Sequence, residues 1–448
     1  MGLRPAARPP SRPHRSEGAP LTVELTSHSS QADHLGVPVP TGLRARVLGR
    51  AARILLARAA RRSGVALATG DTAVSPGPTI VLHDPDAVHR RIGTSRLIGF
   101  GEAYVAGEWD SPDLATTLTA LAERMSDLVP RWLQSLRRLA ATARPGTEIG
   151  TLDHTRDNVS HHYDLSNELF AAFLDETLTY SSALFSSAEL PDGAPGVTRA
   201  GEPGRPQWSA LAESQGAKID RLLDAAGVGP GTRVLEIGTG WGELCLRAAA
   251  RGAVVRSVTL STEQRALALD RIAAAGLSDR VQVDLLDYRS VDGEYDAIVS
   301  VEMIEAVGAA HWDEYFATLA RLVAPHGRIA LQAITMPHDR MLASVRTYTW
   351  IQKYIFPGGM LPSTEAIAAS ARAAGLAVLA RHRFGAHYAQ TLRLWRERFL
   401  ADPDGLPSPA DSPEFRRLWE FYLAYSEAGF RSGYLDVQQI VLAPEATR

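Results

Sequence analysis

Short apolar runs alternate with longer amphipathic stretches through the middle of the chain. The apolar runs are rich in Val, Ile and Leu, as is typical of strands buried on both faces. They cover residues 232–238, 254–261, 281–287, 295–304 and 327–334. Residues 242–252, 262–276 and 311–323 have the apolar spacing of helices. Strands separated by helices predict a mainly parallel sheet covered on both faces, which is the α/β class.

Changes in composition divide the chain into three predicted parts. Residues 1–40 are rich in Pro and Arg, and we predict a disordered tail. Residues 41–145 combine one strand-like run with helical patterns and predict a small α+β domain, which a linker near Pro145 follows. Residues 150–448 then form the α/β domain. Within it, residues 190–208 are rich in Gly and Pro and predict a surface loop.

A basic amphipathic helix is predicted at residues 43–62, which contain seven arginines. Its apolar positions recur at helical spacing, and most of the arginines lie off that stripe. The stripe consists of Leu43, Val47, Ala51, Ile54 and Leu55. One interpretation is contact with an anionic membrane surface, where each Arg contributes about 1 kcal/mol. The other is that the stripe packs on the neighbouring domain and the arginines are solvated.

Bulk composition excludes several classes of protein. The 448 residues are 45% apolar and 22% charged, with a net charge of −3, which gives no reason to expect a nucleic-acid partner. Cys245 is the single cysteine, so no internal disulfide can form and a reducing compartment fits. No apolar run approaches the roughly 18–20 residues needed to span a bilayer, and no signal-peptide core is present. No metal-ligand cluster is predicted.

The stretch VLEIGTGWGE, residues 234–243, places three glycines where a predicted strand turns into a helix. Glycine permits a sharp turn and close approach of a ligand, and cofactors bind at the carboxyl ends of parallel strands. A dinucleotide fingerprint would place a third glycine at position 243, where this chain has Glu. Glu236, just before the loop, can hold the ammonium group of S-adenosylmethionine (SAM). The loop therefore favours SAM.

Further segments carry a more specific resemblance. The glycine loop and residues 157–185, 258–264, 285–308 and 348–363 resemble the SAM-dependent methyltransferase core of the cyclopropane-fatty-acid synthase family. So do residues 384–399 and 415–433, and the resemblance extends in order over residues 155–442. It implies a Rossmann-like methyltransferase domain with a mainly parallel sheet, preceded by a smaller α+β domain that contacts lipid.

The resemblance also implies a set of cofactor-binding residues. The Tyr-Ser pair, the glycine loop, a turn beside the ribose and an acidic-aromatic pair at the adenine would hold SAM. These positions are Tyr180, Ser181, Glu236, Gly238, Gly240, Thr259, Ser261, Gln264, Asp287 and Tyr288. Thr259 and Ser261 have an alternative interpretation, since they could simply cap the helix that begins at Thr262. Tyr288 could be an ordinary aromatic at the rim.

The family's active site holds a bicarbonate ion as general base, and the resemblance implies its holders here. They are Glu305, Ile334, Tyr388, Ser182 and Gln332. The last two depart from the family pattern, which has Cys and His at these positions; Ser and Gln can still hydrogen-bond an anion. Aromatic rings could stabilise a carbocation by cation–π attraction, although core packing is the alternative for most of them. The candidates are Tyr163, Tyr348, Trp350, Tyr354, Phe356 and Tyr388.

The function implied is SAM-dependent one-carbon transfer to the cis double bond of an unsaturated phospholipid acyl chain. The product is a mid-chain methylene, the precursor of a methyl branch, or a cyclopropane ring. The altered holders lead us to favour the methylene. The implied partners are unsaturated phospholipid in an anionic membrane, a reductase and a second copy of the chain, with the enzyme peripheral at the cytoplasmic face. A SAM methyltransferase of a soluble small molecule and a catalytically silent lipid-binding relative remain the alternatives.

Overall fold

The computed structural model describes residues 37–70, 77–124, 166–345, 347–402, 405–408, 410 and 412–445. Most of the predicted tail, the predicted linker and Tyr163 lie outside the described residues.

In the described part of the N-terminal unit, four helices adjoin a small three-stranded sheet. Its elements are α1 (Gly42–Ser63), β1 (Ala66–Thr69), β2 (Thr79–Leu82), α2 (Pro85–Ser95), α3 (Leu97–Val105), β3 (Trp109–Asp110) and α4 (Leu114–Glu123). Strand β2 pairs in parallel with β1 and antiparallel with β3. Asp84 and Asp113 begin α2 and α4 by accepting hydrogen bonds from backbone amides of the first turn.

The second unit alternates strands and helices as the hydrophobic pattern predicts. It begins with α5 (Asn167–Phe173), β4 (Glu189–Pro191), β5 (Val197–Ala200), α6 (Leu211–Ala226), β6 (Arg233–Ile237), α7 (Glu243–Ala250), β7 (Val254–Thr259), α8 (Thr262–Ala274), β8 (Val281–Leu285) and β9 (Tyr295–Val301). It continues with α9 (Ile304–Val307), α10 (Trp312–Leu322), β10 (Val323–Thr335), α11 (His338–Ser344), α12 (Trp350–Tyr354), α13 (Thr364–Ala373), β11 (Leu376–Arg383), α14 (Gly385–Ala401), α15 (Pro413–Arg431) and β12 (Asp436–Pro444).

These strands form one nine-stranded sheet in the order β4-β5-β11-β12-β10-β9-β6-β7-β8. The five strands from β10 to β8 in that order are parallel to one another, which confirms the predicted α/β class. Strand β12 runs antiparallel between β10 and β11. The stretch predicted as a surface loop at 190–208 instead supplies β4 and β5, which extend one edge of the sheet.

The two units share a continuous buried core. Trp109 stacks on Phe100 at 4.4 Å between ring centroids and also meets Phe421 of α15 edge-on. The guanidinium of Arg417, also on α15, lies 4.1 Å from the centroid of the Tyr104 ring and donates to the Tyr104 carbonyl oxygen. The N-terminal unit is therefore packed on α15, beside the helices that carry the site described below.

Helix α1 leaves its larger apolar side chains in solvent. Leu43 is 79% exposed and Ile54 66%, and Val47 and Leu55 are exposed as well. The helix packs instead through small side chains, because the glycines Gly49 and Gly93 allow α1 and α2 to approach closely. The buried residues of α1 are Ala45, Gly49, Ala52, Leu56 and Ala60. The interpretation in which the predicted stripe packs on the next domain is therefore wrong for the described residues.

Candidate active site

The glycine loop connects β6 to α7 in a conformation that requires glycine. Gly238, Gly240 and Gly242 have φ values of 95°, 52° and 93°, in the left-handed region. A Cβ atom at Gly238 would also lie 2.8 Å from Cγ of Met303. The loop thus brings bare backbone to the carboxyl end of the sheet.

A cavity opens beside this loop, at the carboxyl ends of β6, β7, β8 and β9. Nine of the ten predicted cofactor-binding residues line it: Tyr180, Ser181, Glu236, Gly238, Gly240, Thr259, Gln264, Asp287 and Tyr288. Ser261 does not line it, since its hydroxyl accepts from the backbone N–H of Gln264 and caps α8. Thr259 lines the cavity, and its Oγ1 accepts from the backbone N–H of Ser261, so Ser261 rather than Thr259 caps α8.

Glu236 supplies an acidic group at the end of the cavity next to the glycine loop. Its side chain is buried, and the Ser257 hydroxyl donates to it. Burial raises the pKa of Glu236 to about 8, and the bond from Ser257 opposes that shift. A cation in the cavity would favour the ionised carboxylate. The chemistry of the lining therefore fits SAM, whose ammonium and sulfonium groups are both cationic.

Lys218 is a lining residue that the sequence analysis missed. Its side chain is fully buried, and its Nζ donates to Oγ of Ser181 at 2.6 Å. Burial lowers the pKa of Lys218 to about 8. The signal was a lysine on the apolar face of a helical pattern, at i and i+4 spacing with Ser214 and Leu222.

Glu302 is the second residue that was missed, and three predicted bicarbonate holders converge on it. Its Oε1 accepts from the Ser182 backbone N–H at 3.0 Å and from Nε2 of Gln332 at 2.9 Å. Its Oε2 accepts from the Tyr388 hydroxyl at 2.7 Å. Glu302 follows β9 and lines the SAM cavity. The available signal was the pair of glutamates three residues apart in SVEMIE, directly after a predicted strand.

Glu305 lies beside Glu302 but differs from it in its hydrogen bonding and in the neighbouring charge that shifts its pKa. Its Oε1 accepts from the backbone N–H of Ile334, and its buried Oε2 has no hydrogen-bond partner among the described residues. Burial and the adjacent charge of Glu302 raise the pKa of Glu305 to about 8. Both effects favour the protonated form of Glu305.

These contacts test whether a bicarbonate ion fits. The predicted holders do offer donors, namely the backbone N–H groups of Ser182 and Ile334, the Gln332 amide and the Tyr388 hydroxyl, but each donates to a glutamate. The Ser182 hydroxyl donates to the carbonyl oxygen of Ala183. A further anion would lie against two buried carboxyl groups, at a high electrostatic cost. The described residues therefore do not fit bicarbonate at this place.

The aromatic candidates fall into two groups. Trp350 packs on Phe421 with ring centroids 4.7 Å apart, and the Tyr354 hydroxyl donates to buried Glu102, so these two rings belong to the core. Tyr388 and Phe356 lie closer to the site. Tyr388 packs on Phe430 at 4.5 Å, Phe356 meets Tyr422 edge-on at 5.9 Å, and Tyr422 shares a 2.6 Å hydroxyl hydrogen bond with Tyr180. Tyr348 is partly buried against the same core.

Comparison with known proteins identifies the family to which this chain belongs. Residues 151–440 match the family model of mycolic acid cyclopropane synthetase. The chain belongs to this family. It is 55% identical over 401 residues to the tuberculostearic acid methyltransferase UfaA1 of Mycobacterium tuberculosis, covering 89% of this chain and 90% of that protein. It is 32% identical to the cyclopropane-fatty-acyl-phospholipid synthase of Escherichia coli K12, covering 81% of this chain and 87% of the relative.

A solved structure of a family member agrees with the fold. Mycolic acid cyclopropane synthase CmaA1, in complex with SAH and CTAB, is 30% identical and gives a TM-score of 0.53. The match covers 64% of this chain and 97% of CmaA1. The predicted family, the methyltransferase fold and SAM as cofactor are thereby confirmed. This family member is a SAM-dependent fatty-acyl methyltransferase that transfers one carbon to a double bond. Across the described ranges, no helix is long and apolar enough to cross a membrane.

Proposed function

We propose that this enzyme converts the cis double bond of an unsaturated phospholipid acyl chain into a mid-chain methylene group. The observation that carries the proposal is the buried cluster at the wall of the SAM cavity, where Glu302 meets Tyr388 and Gln332. When bound, SAM supplies an electrophilic methyl group. Methylation of an alkene leaves a carbocation, which then needs a proton acceptor and aromatic surroundings, and this cluster offers both.

The choice of methylene over cyclopropane has two supports. The relative named a tuberculostearic acid methyltransferase is 55% identical, whereas the E. coli cyclopropane synthase is 32% identical. Reduction of a mid-chain methylene yields a methyl-branched acid such as tuberculostearic acid. In addition, the proton acceptor at the site is enclosed by Ser182 and Gln332 rather than by the cysteine and histidine of the family pattern. A reductase that acts on the methylene product is accordingly a proposed partner.

The product test uses vesicles of oleoyl phospholipid with SAM, and the acyl products are examined by NMR. We expect vinylidene proton signals, and parallel mass spectrometry with methyl-deuterated SAM should show that the new carbon comes from SAM. Upfield signals from cyclopropane protons would instead show that the product is a cyclopropane ring. SAM binding without any lipid product would favour the soluble-substrate or the silent lipid-binding alternative.

We further propose that α1 places the enzyme on an anionic phospholipid surface. All seven arginines of α1 are exposed, as are Leu43, Val47, Ile54 and Leu55. A surface that combines cationic and large apolar side chains on one helix suits the interface of an anionic bilayer. The bilayer also contains the proposed substrate, so the same contact would bring the enzyme to its acyl chains.

The double variant Ile54→Asp/Leu55→Asp should bind phosphatidylglycerol vesicles at least about tenfold more weakly than wild type, because it removes two inserting side chains and adds repulsion. Co-sedimentation over a range of salt concentrations measures this. The control Leu379→Asp/Leu400→Asp makes the same changes at two exposed leucines of β11 and α14. Equal vesicle binding by wild type and the α1 variant would remove α1 from the membrane contact.

A further inference from the structure

Glu302 has a backbone conformation that a non-glycine residue seldom adopts. Its φ is 51°, in the left-handed region, and its side chain is enclosed by donors from three separate segments. Glycine would adopt this conformation without strain. Strained residues of this kind cluster at active sites, where the side chain is needed at one place. The carboxylate of Glu302 is therefore held at the cavity wall in spite of the conformational strain in its backbone.

We infer that Glu302 is the general base of the reaction, in the place that an exogenous bicarbonate ion would take, so that catalysis proceeds without bicarbonate. This inference rests on the proposed function. It is supported by the location of Glu302 on the SAM cavity and by its three hydrogen bonds to predicted bicarbonate holders.

The proton transfer balances with the groups at hand. Formation of the new carbon–carbon bond uses the alkene π electrons, and the bond from the methyl group to sulfur breaks, which leaves S-adenosylhomocysteine and a carbocation. A 1,2-hydride shift moves the positive charge to the methyl-bearing carbon. One C–H bond of the new methyl group then supplies the electron pair of the exocyclic C=C bond, and its proton passes to a carboxylate oxygen of Glu302. No oxidant or reductant is consumed.

Glu302 is better suited than Glu305 to accept this proton. Glu302 lines the cavity, whereas Glu305 is not among the lining residues. The hydrogen bonds from Tyr388, Ser182 and Gln332 favour the charged form of Glu302, and buried Lys218 adds a favourable positive charge. Burial nevertheless raises the pKa of Glu302, which makes the carboxylate a stronger base than one in water. Burial and the neighbouring charge of Glu302 raise the pKa of Glu305 to about 8, which favours its protonated form at neutral pH.

The first arm of the test compares wild-type turnover in CO2-free buffer with turnover after bicarbonate is added. We expect the same rate in both. A wild-type rate that falls when bicarbonate is removed and recovers when it is restored would overturn the inference.

The second arm is Glu302→Gln, which keeps the shape of the side chain and removes its basicity. We expect kcat to fall by about 10²- to 10⁴-fold, the usual contribution of a general base, while the Kd for S-adenosylhomocysteine stays unchanged. Glu420→Gln, which removes a partly buried carboxyl group on α15, is the control and should retain full activity. Near-wild-type kcat in Glu302→Gln would exclude Glu302 as the base.

The third arm is Glu302→Gly, which suits the local backbone and frees the three donors. Bicarbonate should raise the melting temperature of this variant, leave that of the wild type unchanged, and restore part of the lost activity. Absence of both effects would count against a shared position for the carboxylate and the ion.

A wild type that binds SAM but modifies no lipid would overturn the proposed function itself, whereas an active wild type with an active Glu302→Gln variant would overturn only this inference.

Discussion

Gly238→Val should weaken SAM binding by at least about 100-fold, which is about 2.7 kcal/mol. The φ of 95° at this position strongly disfavours a β-branched residue, and the new side chain would meet Met303 at the cavity wall. Relief of either conflict moves the loop or Met303 into the space where the cofactor binds. Isothermal titration calorimetry with SAM and with S-adenosylhomocysteine measures the loss.

Gly231→Val is the matched control for backbone strain. Gly231 has a φ of 78°, and no atom lies within 4 Å of a Cβ built there. The control should lose about 1–3 kcal/mol of stability and keep its affinity for SAM. If the two variants weakened SAM binding equally, a general loss of folded protein would explain the effect at Gly238.

Trp395→Ala should lower the free energy of unfolding by about 3–5 kcal/mol, since it leaves a large cavity in the core. Trp395 is fully buried on α14, and its ring lies 5.4 Å from the ring centroid of Tyr180 and 6.2 Å from that of Tyr388. It therefore supports one residue of the SAM cavity and one donor to Glu302. Urea denaturation followed by fluorescence measures the stability change, and steady-state turnover should fall with it.

Trp208→Ala is the corresponding control. Trp208 is only partly buried, and its ring lies 5.4 Å from the guanidinium of Arg398. Its truncation should cost about 1 kcal/mol and leave turnover unchanged. A Trp395 variant no less stable than this control would mean that the core around Tyr180 and Tyr388 repacks freely.

The parallel strands and the SAM cavity could be predicted from the sequence because their signals are local. Each buried parallel strand is a short apolar run, and the residues at the strand ends meet at one edge of the sheet. Ser261 was the exception, since the same hydroxyl suits either a ribose contact or a helix cap, and the structure shows the cap. A local pattern does not distinguish these two uses.

Glu302 could not be assigned in the same way, because its role depends on contacts that are distant in the chain. Its donors come from residues 182, 332 and 388. The positive φ of Glu302, which orients its carboxylate, cannot be predicted from any short sequence pattern. The packing face of α1 was missed for a related reason. The packing face consists of small residues because α2 approaches α1 closely. The prediction from hydrophobic spacing rests on the larger apolar side chains, which lie on another face.

The interior position of β12 governs how the chain folds during synthesis. This strand comes after every other strand in the chain, yet it pairs with β10 on one side and β11 on the other. Until residues 436–444 have left the ribosome, β10 and β11 each keep one unpaired edge, and unpaired edges are templates for aggregation. The nascent chain can assemble the cofactor-binding strands β6 to β9 early, but the sheet that supports Gln332 closes only when the last strand arrives.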